Sequence, residues 1–155
     1  MTHPFNLRKW QHWVATAGGA GLSPKAPGTV GTLAAFPLVW LLGLLPLWQS
    51  AGLIALLCLL GIYVSEVTSR DLAVDDHGGI VIDEVAGFAI TMWALPQNAY
   101  LFVAGFVLFR LLDIAKPWPV RVFDQHVRGG LGVMADDIVA GLLACGILHS
   151  VLLVI

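Results

Sequence analysis

Between Lys25 and Glu66 the chain carries no Lys, Arg, Asp or Glu. So long an uncharged stretch leaves few folds open. Its backbone must satisfy its own hydrogen bonds, and its side chains must be covered by protein or by lipid. Apolar runs recur downstream: Val85 to Leu95, stopped by Pro96; Ala99 to Phe109; and Ile138 to Ile155, interrupted by His149 and Ser150. Hydrophobic residues make up 58% of the 155 residues and charged ones only 12%, about half the usual share for a soluble domain. Extended into their polar ends, these runs predict membrane helices at 30–48, 51–70, 80–95, 98–116 and 134–155. At about 1.5 Å per residue, each approaches or reaches the roughly 30 Å of a bilayer core, the third being the shortest. The expected fold class is all-α: a polytopic membrane helical bundle of about five spans in a single domain, 1–155.

The charges bear on the orientation. The loops at 46–51 and 95–99 contain no charged residue, whereas five crossings put Arg8, Lys9, Lys25, Arg70, Arg110, Lys116, Arg121 and Arg128 all on the opposite side. The positive-inside rule assigns that side to the cytoplasm and the C-terminus to the outside. Trp48, Trp93 and Tyr100 then mark one interface, and Trp10, Trp13 and Trp118 the other. Ahead of the first span, residues 5–17 place Phe5, Leu7, Trp10, Trp13, Val14 and Ala17 at helical spacing, with Arg8, Lys9, His12 and Thr16 largely opposite. The pattern predicts an interfacial helix within residues 1–19, lying on the headgroups, with residues 20–155 forming the bundle. This N-terminus lacks the continuous apolar stretch of a signal peptide.

All ten carboxylates lie between Glu66 and Asp137, and six of them form adjacent pairs: Asp75–Asp76, Asp83–Glu84 and Asp136–Asp137. Acids near lipid are costly and ordinarily serve ions, protons or substrates. Several together repel one another unless a cation or protons neutralise them. A single acid at a helix start is explained by the helix dipole, worth about 0.3–1 kcal/mol, but doublets on two helices at one membrane face are not. Hard oxygen donors without clustered His or Cys suit Mg²⁺, or Mn²⁺. The candidate metal ligands are Asp76, Asp83, Glu84, Asp113, Asp136 and Asp137, and the candidate catalytic groups are Asp83, Glu84, Asp113 and Asp137.

Arg110, Asp113 and Lys116 follow one edge of a helix that Pro117 and Pro119 end. A guanidinium and an ammonium beside metal-binding acids fit a phosphoryl group. In GLSPKAPGTVGT, Gly28, Thr29 and Gly31 open a helix whose free N–H groups can meet an anion, although the GxxxxGK[ST] of a nucleotide loop is absent. The candidate phosphate-binding residues are therefore Lys25, Thr29, Arg110 and Lys116. Cys58 and Cys145 read as packed thiols, and His77 and His126 as loop histidines or proton-transfer groups. No basic run points to nucleic acid.

LSPKAPGTVGTL, VDDHGGIVIDEVAG, FRLLDIAKPWPVRVFDQ and GGLGVMADDIVAG, in this order over roughly residues 20 to 146, resemble the phosphatidylglycerophosphatase A family. The resemblance implies an all-helical, Mg²⁺-dependent phosphatase of the bacterial inner (cytoplasmic) membrane, with its active site facing the cytoplasm. Its phospholipid substrate would be phosphatidylglycerophosphate, hydrolysed to phosphatidylglycerol, the precursor of cardiolipin. The alternatives are a small ion or proton transporter, which would want its acids near the bilayer midplane, and a CDP-alcohol phosphotransferase, whose DGxxAR…GxxxD signature is missing. The DxDx motif of aspartyl-phosphate enzymes is missing too. The oligomeric state is left open.

Overall fold

The computed structural model describes residues 5–154. The described residues form helices and loops, with no strand among them. Helix α1 spans Trp10–Ala15, followed by a short 3-10 turn at Ala20–Leu22. Next come α2 (Pro27–Ala34), α3 (Phe36–Leu42), α4 (Leu47–Leu72), α5 (Ile82–Met92), α6 (Ala99–Ala115), α7 (Val120–His126) and α8 (Gly129–Val154). Residues 1–4 and 155 of the predicted interfacial helix and last span lie outside the described residues.

Two helices, α4 and α8, are long and apolar enough to cross a membrane, each with 26 residues. That corresponds to about 39 Å of helix. Only 28% of the apolar window of each is buried, so most of that surface is left uncovered by the rest of the chain. Leu56, Leu59, Leu142 and Leu153 are among the large side chains turned outward. The remaining predicted spans are shorter: α2 and α3 together cover Pro27–Leu42, and α6 has 17 residues. The third predicted span differs most, because α5 has 11 residues and is buried throughout from Val85 to Met92. Its apolarity serves packing, since α2, α4, α6 and α8 enclose it. Helix lengths alone therefore do not give five crossings.

Glycines set the close helix crossings. A Cβ on Gly141 would lie 2.4 Å from the Gly87 carbonyl oxygen, so α5 and α8 touch backbone to backbone. A Cβ on Gly130 would lie 2.2 Å from the Ile62 carbonyl oxygen, bringing the start of α8 against the end of α4. There Glu66 accepts a 2.6 Å hydrogen bond from the Gly130 N–H. Behind these crossings Phe88 stacks on Phe36 with centroids 5.0 Å apart, and the fully buried Phe109 closes the core.

The N-terminal segment keeps its two sides apart. His12 and Thr16 are buried, while Trp10 and Trp13 are exposed. His12 Nε2 meets Asp71 Oδ2 at 2.9 Å, and its Nδ1 accepts from the Asn6 N–H at 3.1 Å. Lys9 reaches the same carboxylate at 2.7 Å. The polar side of α1 thus faces the end of α4, and its indoles point outward. The helix itself is shorter than residues 5–17, because residues 5–9 enter it as a turn.

Candidate active site

The Gly87–Gly141 crossing determines what stands one turn earlier on both helices. Asp83 precedes Gly87 by four residues and Asp137 precedes Gly141 by four, so the two carboxylates are carried on facing sides of α5 and α8. Asp83, Glu84 and Asp137 each offer an oxygen within 4.8 Å of the others, and so do Asp113, Asp136 and Asp137. The two groups share Asp137, which is only 2% exposed and makes no ion pair among the described residues. Asp83 and Glu84 lie in the first turn of α5, as expected. Asp136 and Asp137 lie about two turns inside α8, beyond the reach of the helix-end dipole. Their placement therefore needs another reason.

Two basic side chains thread the cluster. Arg110 Nη1 stands 2.5 Å from Asp113 Oδ2 and 3.4 Å from Glu84 Oε1. Lys116 Nζ bridges Asp136 Oδ2, at 2.7 Å, and Asp124 on α7. Lys116 caps α6 in the left-handed region at φ 45°, a position more often given to glycine or asparagine. That turn brings its ammonium back toward α8. Several polar atoms remain buried without a hydrogen-bond partner: Asp83 Oδ1, Glu84 Oε2 and Arg110 Nε. Unmatched carboxylate oxygens beside an unmatched guanidinium N–H are costly in a packed interior and call for a further polar group between them.

The remaining candidates divide. Asp76 belongs to neither carboxylate group. It lines a small polar recess of about 70 Å³ with Asp75, Asp124, Arg128 and Asp136. Burial pushes its carboxyl above the ordinary range, Lys116 pulls it down, and Asp124 and Asp113 push it up again. Lys25 is exposed and makes no ion pair among the described residues, although its loop leads to the site. Thr29 sits in the first turn of α2, and its hydroxyl has no hydrogen-bond partner among the described residues; the buried hydroxyl there is Thr32, donating to the Gly28 carbonyl at 2.8 Å. Gly28 makes the close approach. A Cβ there would lie 2.0 Å from Glu84 Oε1 and 3.0 Å from Arg110 Nη2, so any larger residue at this position would have to displace the ends of the Glu84 and Arg110 side chains. The histidines stay out of it: His77 Nδ1 accepts from the Gly79 N–H, and His126 contacts the Val122 carbonyl on its own helix.

Two contributors escaped the sequence reading. Asp124 lies eight residues beyond Lys116, across the PWP bend, and helical spacing says nothing across such a bend. The α5–α8 partnership had a visible sign in the shared spelling DEVAG and DIVAG at 83–87 and 137–141.

The fold and the cluster define a class: an all-helical protein with two helices long and apolar enough to cross a membrane and an acidic centre of hard oxygen donors at one end of its bundle. The particular family follows from comparison. The model of the phosphatidylglycerophosphatase A family matches residues 13–152, and the chain belongs to that family. It is 50% identical to the phosphatidylglycerophosphatase A of Escherichia coli over 90% of this chain and 82% of that protein. It is 41% identical to the phosphatidylglycerophosphatase A of Haemophilus influenzae, over 90% of this chain and 87% of that one. A Bacteroides thetaiotaomicron protein provisionally named phosphatidylinositol-3-phosphatase is 39% identical over 83% of this chain and 84% of its own length. No solved structure matches the chain.

Proposed function

We propose that this chain is a Mg²⁺-dependent phosphoric monoester hydrolase that converts phosphatidylglycerophosphate to phosphatidylglycerol and phosphate, on the way to cardiolipin. The observation that carries the reading is the pairing of unmatched buried carboxylate oxygens, on Asp83 and Glu84, with the unmatched Nε–H of Arg110 beside them. The donor set fits Mg²⁺, or Mn²⁺: every candidate ligand is a carboxylate oxygen, and the two oxygens without partners belong to the same group as the buried Asp137. Asp83, Glu84 and Asp137 would hold the ion, with Asp113 and Asp136 bordering it. Bound Mg²⁺ supplies a Lewis acid that draws charge from the phosphomonoester and acidifies water.

The rest is done by the chain. Arg110 commits Nη1 to carboxylates but keeps Nε–H and Nη2 for phosphoryl oxygens. An ammonium has three N–H donors, so Lys116 retains one beyond Asp124 and Asp136. Both charges would balance the negative charge that grows on the phosphoryl oxygens as the water oxygen bonds to phosphorus and the ester P–O bond breaks. A carboxylate of the Asp113–Asp137 group would take the proton of the water and pass it to the departing lipid alkoxide, so that the lipid alcohol leaves protonated. Gly28 keeps α2 close enough to shield Glu84 and Arg110 from bulk water, and Lys25 on the preceding loop meets anionic lipid at the mouth.

The relatives' names support a phosphomonoester on a lipid headgroup. No relative named above is a transporter, and the acids gather at one end of the bundle, so the transport reading finds no support. Purified protein in detergent is expected to release phosphate from phosphatidylglycerophosphate, to lose that activity in EDTA, and to regain it with Mg²⁺ or Mn²⁺. Full turnover in metal-free buffer would remove the metal from the account. Preference for phosphatidylinositol-3-phosphate would replace the substrate.

The same reading places the enzyme in the bacterial inner membrane with five crossings and the site toward the cytoplasm, supported by the uncharged loops at 46–51 and 95–99. Single cysteines at Gln49 and Asn98, in a background lacking Cys58 and Cys145, should react with impermeant thiol reagents in intact cells, and one at Gly78 should not. The reverse labelling would turn the site to the other face.

A further inference from the structure

The two carboxylate groups differ in what already neutralises them. In the Asp113–Asp136–Asp137 group, Asp113 has Arg110 at 2.5 Å and Asp136 has Lys116 at 2.7 Å. In the Asp83–Glu84–Asp137 group the nearest cation contact is the 3.4 Å approach of Arg110 to Glu84, and two of the oxygens have no partner. Asp137, 2% exposed and without an ion pair among the described residues, is common to both. Five carboxylates thus face two protein cations, both spent mainly on one side of Asp137. A cation that is part of the chain competes with a free ion for the same oxygens. A metal ion entering beside Asp136 would also meet the Lys116 ammonium at contact distance, a repulsion that is strong wherever water is excluded.

We infer that the chain binds a single divalent ion, at Asp83, Glu84 and Asp137, because Lys116 stands in the second group as a built-in cation, and that Asp124 is the residue that positions it there. Lys116 reaches this place through a left-handed backbone at the end of α6, and Asp124 on α7 pairs with the same ammonium as Asp136. Asp124 belongs to neither group, so its charge is available to orient the lysine. The inference takes its kind of ion from the proposed phosphatase reading, but the number of ions is independent of the reaction.

The test is a Mn²⁺ titration of the full-length protein in detergent, stripped with EDTA and followed by electron paramagnetic resonance. Wild type is expected to bind one Mn²⁺ per chain. Lys116→Met, which keeps the length and removes the charge, should bind two, and Lys116→Arg should return the count to one. Asp124→Asn should admit a second ion at Mn²⁺ concentrations where wild type holds one. Loss of a nearby negative charge would by itself weaken cation binding, so a gain can come only from a released Lys116. Two ions in wild type, or one in Lys116→Met, would overturn the single-ion account; an unchanged count in Asp124→Asn would remove Asp124 from it. One ion with no phosphate release would uphold this inference while the proposed reaction fails, and two ions in an active phosphatase would do the reverse.

Discussion

Helices α5 and α8 carry the same five-residue pattern, an aspartate followed four residues later by a glycine, and they meet at those glycines. Beyond that crossing they part ways. Helix α5, 11 residues long in all, ends at Met92 and is buried from Val85 on, whereas α8, 26 residues long in all, runs on to Val154 with most of its apolar window uncovered. The site thus depends on a short local match between two helices. How much apolar surface stays uncovered depends on how far each helix continues past it. A buried apolar helix and a lipid-facing one look alike in composition, and only their neighbours tell them apart.

That comparison breaks most sharply at the crossing. Gly141→Ala puts a methyl 2.4 Å from a backbone oxygen that cannot move aside independently. It should cost about 1–3 kcal/mol of stability and shift Asp137 relative to Asp83. Thermal unfolding in detergent measures the first effect, and Mn²⁺ affinity the second. On the same helix nothing lies within 4 Å of a Cβ at Gly146, so Gly146→Ala should instead stabilise, by about 0.5–1 kcal/mol. Equal effects at the two positions would mean that α5 and α8 do not touch as described.

A smaller effect is expected in the recess beside the crossing. The Asp76 carboxyl is held above its ordinary range chiefly by burial, so ionising it opposes folding. At neutral pH in EDTA, Asp76→Asn should therefore raise the melting temperature slightly. The advantage should shrink as pH falls through the raised folded value toward about 3.9, the ordinary Asp value, where wild type is protonated in both states. A melting temperature lowered by Asp76→Asn would instead make the charge useful, restoring Asp76 as a ligand.

Much of the candidate site was legible because acids in an apolar chain have few reasons to exist. Asp83, Glu84, Asp113, Asp136, Asp137, Arg110 and Lys116 stood out for that reason, and the structure gathers all of them. Asp76 stood out equally and falls into the neighbouring recess, because a loop between α4 and α5 sets its direction and periodicity cannot follow a loop. Asp124 was hidden by the bend after Lys116. Helix α1 was legible as to which residues share a side, but not as to what its polar side meets: His12 and Thr16 turn inward to bonded partners, and Trp10 and Trp13 take the outer surface. The all-helical class was plain from the long apolar runs. The number of crossings was not, since the 11 residues of α5 are as apolar as a span and half its length.

The central claim is that the aspartates of α5 and α8 serve an ion and a reaction rather than their helices. Asp83→Asn and Asp137→Asn keep shape and remove charge. Both quantities should be measured on the same preparations: kcat/KM for phosphate release from phosphatidylglycerophosphate with Mg²⁺, and thermal stability in EDTA. The account predicts a fall in kcat/KM of at least about 100-fold, or about 2.7 kcal/mol of transition-state stabilisation, with metal-free stability kept or raised as like charges separate. Near-normal activity with lowered stability would contradict it and return both residues to a structural role.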